Sequence, residues 1–425
     1  MTNPGIHFSK NSVWMVISRF GAQGLAVIFS VLLARRLGSA GLGEYAFITA
    51  VIFVANAMTT FGTDMLLIRE IAAKDDSSLL PADLTVQLIL STIFIGIVML
   101  LGDYVPHQSW ETVEGLKIYS LALIPMAFFT VFTTALRGNQ RMGSYASLNL
   151  TASALQVIAI LFLHGNNIVL LSFLLVIIQF ILALLAGIIC SELIQGFWQG
   201  WKLTRSHFVK LLKGTAPIAL MTLIGMLYQK LSVYMLSTMS GASNTGLFSA
   251  ASRMVEASKI GHLAVFTVLY PAMAQASADR TNQLTEHFKR PWLLLLSGAI
   301  ALSLILYVFA DPFVNLLYGS GFYPSVTVLQ ILCWTLLPYT VNSILTLVFL
   351  SLRKEISVII TLGSSLMVLA ALNYWLIPAN GIVGASWAVI AAETGQAVLF
   401  IIQWIASLSP RHLKGDLNNE LSHPF

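Results

Sequence analysis

Between Asn11 and Ser407 the chain is written as about twelve apolar stretches, and the basic residues between them fall on alternate connections. Each stretch is close to the roughly 20 residues that a helix rising about 1.5 Å per residue needs to cross a bilayer core. Hydrophobic residues make up 57% of the chain and charged residues 10%, whereas about a quarter of a soluble domain is charged. The solvent for this sequence is therefore lipid. The spacing predicts spans at 11–34, 43–67, 83–102, 116–136, 145–163, 168–190, 211–237, 247–275, 292–310, 325–350, 356–377 and 384–406. Their apolar character on all sides predicts helices, because barrel strands would alternate between lipid-facing and lumen-facing residues.

Sixteen of the 23 basic residues fall on one set of connections: Lys10, Arg69, Lys74, Arg137, Arg141, Lys202, Arg205, Lys210, Lys213, Arg280, Lys289, Arg290, Arg353, Lys354, Arg411 and Lys414. The opposite set carries Arg35, Arg36 and Lys117 together with Asp103, Glu111, Glu114 and Asp311. The positive-inside rule then places both termini in the cytoplasm. The net charge of +5 is spread over these loops rather than gathered on one soluble face, so no nucleic-acid partner is expected. Cys190 and Cys333 both lie in apolar spans, where inert thiols are expected rather than a disulfide or metal site. The first span lacks a small-residue cleavage pattern near its end and is expected to be retained.

The chain also repeats itself. IYSLALIPMAFFTVFTTALRGNQR around Pro125 and LQILCWTLLPYTVNSILTLVFLSLRK around Pro338 align with their prolines 213 residues apart. GSAGLGEYAFITA from Gly38 and SGASNTGLFSAAS from Ser240 align at about 203 residues. Six spans separate each pair, which predicts two parallel lobes related by an axis along the membrane normal. The expected organisation is an N-lobe at 1–195, a cytoplasmic linker at 196–210, a C-lobe at 211–410 and a cytoplasmic tail at 411–425. In class, this is an all-α integral membrane protein with a central cavity between two six-helix lobes.

Short loops leave little room for an extramembrane active site, so candidate residues are the polar ones inside spans. Arg19, Gln23, Ala26 and Ser30 share one face of the first span. An arginine that deep costs about 2.5–3.5 kcal/mol to insert, so it needs a wet cavity or backbone carbonyls around it. Lys230, Tyr234 and Ser237 share a face of the seventh span, and Ser249, Ser252, Arg253, Glu256 and Lys259 form a stripe on the eighth. Glu256 can neutralise Arg253 or Lys259 through contacts three residues apart, which leaves the set net positive. Arg19, Lys230 and Arg253 are the expected cationic site for an anion such as a pyrophosphate. Gln23, Asn56, Tyr234 and Asn342 are the expected polar contacts for sugars. Asp64, Glu256 and Glu393 are candidate proton or sodium sites or counter-ions of the arginines. The chain has no GxxxxGK[ST], no HExxH, no nucleophile elbow and no metal-spaced Cys/His cluster, so no catalytic residue, metal or cofactor is expected beyond a coupling H+ or Na+.

LARRLGSAGLGEYAF, FGTDMLLIREIA, LRGNQRMGSYASLN, GLFSAASRMVEA, DPFVNLLYGSGFYPSVTVLQIL and GIVGASWAVIAAE, in this order on a twelve-span frame, resemble the polysaccharide-biosynthesis and O-antigen repeat-unit flippases. These belong to the multidrug/oligosaccharidyl-lipid/polysaccharide exporter superfamily. The resemblance implies alternating access and movement of an undecaprenyl-pyrophosphate-linked oligosaccharide from the cytoplasmic to the outer leaflet of a bacterial inner membrane. It also implies work alongside a polysaccharide polymerase. The chain departs from many relatives in carrying Ser232 and Val233 where they have an Asp in the seventh span, which argues against an ion site there. Three alternatives stay open at this level: a drug/cation antiporter of the same superfamily, a lipid II flippase, and a membrane glycosyltransferase or polymerase.

Overall fold

The computed structural model describes residues 4–74, 78–163, 165, 167–193, 205–259, 281–352 and 354–407. Lys202, Arg280, Arg353, Arg411 and Lys414 lie outside the described residues, with residues 196–204 of the expected linker, 260–275 of the eighth span, and the tail. So do the side chains of Lys10, Lys74, Arg205, Lys210, Lys213, Lys289 and Arg290.

The described chain is helical, as lipid demands of a backbone that must satisfy its own N–H and C=O groups. Helix α1 covers Pro4–Thr60, α2 Thr63–Lys74, α3 Leu80–Leu101, α4 Trp110–Ser120, α5 Leu123–Gly138, α6 Met142–Phe162 and α7 Ile168–Cys190. In the second half α8 covers Arg205–Ser258, α9 Thr281–Val308, α10 Ala310–Tyr318, α11 Pro324–Leu332, α12 Leu336–Ser351 and α13 Glu355–Ser407. Helix α8 therefore begins inside the segment expected as linker.

Three of these helices each carry two spans and reverse at a single glycine. Gly38 in α1, Gly241 in α8 and Gly381 in α13 have φ of 69°, 81° and 54°, a region open to glycine and strained for other residues. The first limb of α1 runs alongside α6, with Ser18 against the Ala146 carbonyl and Arg36 against that of Ile160. The second limb starts beside Ser243 and ends where Gly62 meets Ala219. The loops expected at these places shrink to one non-helical residue. With the three reversals counted, and α4/α5 and α11/α12 each taken as one span, the described residues hold twelve apolar limbs, six in each half, the eighth described only as far as Ser258.

The second crossing is shorter than expected. Phe61 and Gly62 both take positive φ, 47° and 64°, which ends α1 at Thr60. Asp64 consequently sits in the first turn of α2 rather than on the second span. The repeated prolines explain the other breaks. A proline ring clashes with the carbonyl four residues earlier; for Pro125 that residue is Leu121, in the 41° bend between α4 and α5. For Pro338 it is Trp334, in the 3-10 turn Cys333–Thr335 between α11 and α12.

The Gly38/Gly241 side of the bundle is called the hairpin end here, and the side where α1 begins and α13 finishes the terminal end. At the hairpin end one apolar core runs through both lobes, from Phe29, Leu33 and Phe47 to Phe248, Val328 and Leu332. Towards the terminal end the cores are separate: Leu67, Leu84, Phe132 and Leu136 in the first lobe, and Phe349, Val358 and Phe400 in the second. Large apolar side chains such as Ile188, Met367 and Trp375 face outward, as a protein solvated by lipid tails requires.

Candidate functional site

Where the limbs of α1 and α8 meet, their backbones touch through a reciprocal pair of glycines. A Cβ on Gly43 would stand 1.8 Å from the carbonyl oxygen of Ala242, and one on Gly246 would stand 1.8 Å from that of Ser39. Each contact maps onto the other by a shift of 203 residues, the spacing of the repeat. Ser39 Oγ and Ser243 Oγ are 2.9 Å apart beside this seam. Other bonds across the lobes surround it. Arg35 Nε donates to the Leu317 carbonyl at 2.8 Å, placing a cation at the C-terminal end of α10 where the helix dipole favours one. Gln108 donates to the Ser237 carbonyl at 3.0 Å.

One turn below the seam lies a small, partly open recess with a cavity volume of about 40 Å³. All four limbs contribute: Ser30 from the first limb of α1, Tyr45 and Thr49 from its second, Lys230 from the first limb of α8, and Ser249, Ser252, Arg253 and Glu256 from its second. The stripe expected on the eighth span thus becomes one wall. Glu256 reaches both cations, with Oε1 3.9 Å from Lys230 Nζ and Oε2 3.4 Å from Arg253 Nη1. Lys230 Nζ also sits 5.3 Å from the centroid of the Phe53 ring of the opposite lobe, a cation–π distance. Ser249 Oγ is buried in the same lining without a hydrogen-bond partner.

The remaining expected residues are placed elsewhere. Arg19 is exposed and does not line this recess. It lies on the Ser30 face of α1, about 16 Å nearer the terminal end at the rise of a helix. The three expected cations therefore do not form one cluster; Lys230 and Arg253 converge and Arg19 stands below them. Gln23 and Asn56, both half-buried, each lie about two turns below the recess on the two limbs of α1. Tyr234 stacks on Phe47 with ring centroids 5.9 Å apart.

Asn342 and Glu393 find each other in the second lobe. Asn342 Nδ2 donates to Glu393 Oε2 at 2.7 Å and to the Glu393 carbonyl at 3.0 Å, and both residues are buried. Asp64 pairs with Arg137 at 3.3 Å in the first lobe. Lys259 lies 4.2 Å from the Tyr339 ring centroid.

Sequence reasoning missed Tyr45 and Thr49, whose signal was a polar pair four residues apart opening the second span. It also missed Asp83, fully buried in the first turn of α3 and bonded by Gln87 Nε2 at 2.9 Å. An acid and an amide four residues apart inside an apolar run marked that pair.

Comparison with known proteins fits this geometry. A family model described as polysaccharide biosynthesis protein matches residues 8–277. Stage V sporulation protein B of Bacillus subtilis (strain 168) is 23% identical over 350 residues, covering 74% of this chain and 67% of that protein. The lipid II flippase MurJ, in an inward closed conformation, superposes with a TM-score of 0.74 at 14% identity over 91% of this chain and 86% of its own. An inward-facing multidrug resistance MATE family transporter of the MOP superfamily superposes with a TM-score of 0.73 at 15% identity, over 90% and 93%. At these identities the structures establish the fold, two MATE-like lobes about a central cavity, while the family model spans well over half of the sequence. This chain is a multi-pass membrane protein of the polysaccharide biosynthesis family, built on the fold of the MOP superfamily transporters.

Proposed function

We propose that this protein is a flippase that moves an undecaprenyl-pyrophosphate-linked oligosaccharide, an O-antigen or similar repeat unit, from the cytoplasmic to the outer leaflet of a bacterial inner membrane. The observation that carries this reading is the recess itself: Lys230 and Arg253 converge, one from each limb of α8, below a closed seam and above a terminal end where the lobes have separate cores. A sugar headgroup with a charged linker cannot cross hydrocarbon unaided, while a polyprenyl tail can stay in lipid as the headgroup passes between the lobes. Arg19, Gln23 and Asn56 would meet the headgroup on its way up the α1 faces, and Lys230 and Arg253 would hold its pyrophosphate. The distribution of basic residues supports cytoplasmic termini, so the terminal end is the side of loading. Parallel lobes would then rock about the recess, driven by a coupling H+ or Na+ or by removal of the product by a polymerase. The lobes would act as the N-lobe and C-lobe at 1–195 and 211–410.

The test is the leaflet distribution of polyprenyl-linked oligosaccharide in a deletion strain. Accumulation on the cytoplasmic leaflet, relieved by the wild-type gene and not by Arg253→Ala, is the expected result. Normal glycan display with altered drug sensitivity would overturn the reading in favour of an antiporter. Loss of peptidoglycan precursor export instead would assign lipid II as the cargo.

A further inference from the structure

Neither cation of the recess is free. The Glu256 carboxylate lies between them and gives one oxygen to each, 3.9 Å from Lys230 Nζ and 3.4 Å from Arg253 Nη1. Both separations exceed the roughly 2.7–2.9 Å of a tight charge-assisted hydrogen bond. A carboxylate serving only to neutralise Arg253 for insertion would close on that guanidinium three residues away. This one straddles two limbs of α8 instead, with 38% of its side chain exposed, and it presents two oxygens to two cations as the oxygens of a bound phosphate would. Ser249 Oγ, buried in the same wall, is a donor without an acceptor.

An arriving anion has to take both cations from Glu256. A singly charged phosphodiester offers the same charge that it displaces, and it leaves a carboxylate unpaired in a partly dehydrated recess. A diphosphate offers more charge, spread over two phosphorus centres. It can replace Glu256 at each cation, reach Ser249 and compensate the release of the carboxylate. Such discrimination has a use in a membrane, where phosphodiester headgroups of ordinary lipids vastly outnumber any diphosphate-linked one.

We infer that Glu256 is an intramolecular stand-in anion that sets a charge threshold at the recess, admitting diphosphate headgroups and turning away phosphodiesters. The inference rests on the reading of the recess as the headgroup site. It makes Glu256 a specificity residue that opposes binding of every anion and opposes the singly charged ones most.

Binding of inorganic pyrophosphate and of dimethyl phosphate, a phosphodiester monoanion, to the purified full-length protein in neutral detergent tests it by calorimetry. Wild type is expected to prefer pyrophosphate. In Glu256→Gln both ligands bind more tightly, and the preference for pyrophosphate narrows by about twofold to fivefold, the range open to a partly exposed charge pair. Glu256→Asp, too short to reach both cations, shifts the preference the same way and serves if the glutamine variant does not fold. An unchanged preference in a folded variant, or weaker pyrophosphate binding in Glu256→Gln, overturns the inference while the headgroup site stands. Absence of pyrophosphate binding in wild type and Glu256→Gln alike, with no change in Arg253→Gln, removes the site itself and the inference with it.

Discussion

The two ends of the bundle are held together in different ways. At the hairpin end the lobes share one apolar core, and the backbones of α1 and α8 touch at Gly43 and Gly246. Toward the terminal end each lobe has its own core, and the lobes meet where Gly62 faces Ala219. The difference teaches where motion can occur. Close-packed cores resist continuous deformation, so each lobe moves as a body, and the parts that change are the contacts between bodies. The bonds across the hairpin end suit repeated breaking: a serine pair, an arginine on helix-end carbonyls, an amide on Ser237 and two glycine backbones. No side chains interlock through the glycine contact itself, so what resists parting of the limbs is the shared apolar core around the seam rather than the seam.

The largest effect should come from locking that end. With Ser39 Oγ and Ser243 Oγ 2.9 Å apart, the pair Ser39→Cys and Ser243→Cys is placed to form a disulfide. Oxidation is expected to abolish transport and reductant to restore it, read as glycan export in cells. Wild-type export by the oxidised protein would mean that the hairpin end never opens, and the contrast between the ends would lose its mechanical meaning.

Next in size is Gly246→Val. Its Cβ would stand 1.8 Å from the Ser39 carbonyl oxygen, so the limbs must separate, at a cost of about 1–3 kcal/mol or more for overpacking. The rate of disulfide formation by the cysteine pair should fall by about tenfold or more in this background, following the same energy. Gly298→Val in α9, where nothing lies within 4 Å of the added carbon, is the control and should leave cross-linking unchanged. Equal cross-linking in both would show that the seam is not a close contact.

How much of this was legible beforehand depended on distance along the chain. The apolar spans and the Arg253/Glu256 wall follow from local periodicity and the two parallel halves from a repeat at 203–213 residues, whereas the breaks at Pro125 and Pro338 were not read within spans expected as continuous, although the clash behind them reaches only four residues. Asp64 was misplaced by a local event that polarity does not signal, the positive φ of Phe61 just before Gly62. Contacts between distant segments were not legible at all. Gly43 announces a permissive backbone but not that Ala242 will press on it. Glu393 announces a buried acid but not that its partner is Asn342, 51 residues earlier. Arg19, Lys230 and Arg253 looked equivalent because depth in a span was the available coordinate, and height between two lobes depends on how those lobes dock.

A middling effect is expected within a single lobe. Asn342→Leu removes the amide donor of the buried Glu393 carboxylate, which should cost about 1–3 kcal/mol of stability, measured as a lowered midpoint of thermal unfolding in detergent. Because the pair lies within the second lobe, cysteine cross-linking at the hairpin end should keep its wild-type rate. A changed rate would tie this pair to the docking of the lobes and blur the division between bodies and contacts.

The smallest effect should come from Gly62→Ala at the terminal end. Two costs act on it: an alanine must adopt a φ of 64°, worth about 1 kcal/mol, and its methyl would lie 3.1 Å from Ala219 Cα. The second cost can be relieved because the lobes have separate cores there, and a shift of a few tenths of an ångström opens no shared packing. The unfolding midpoint should therefore drop slightly, cross-linking at the hairpin end should be unaffected, and export should persist. The same methyl-sized intrusion at the hairpin end, in Gly246→Ala, has no such relief, since the limbs it would part are embedded in the common core. If Gly62→Ala proves as damaging to export as Gly246→Ala, the terminal end is as tightly joined as the hairpin end, and the contrast between the two ends drawn from their cores is wrong.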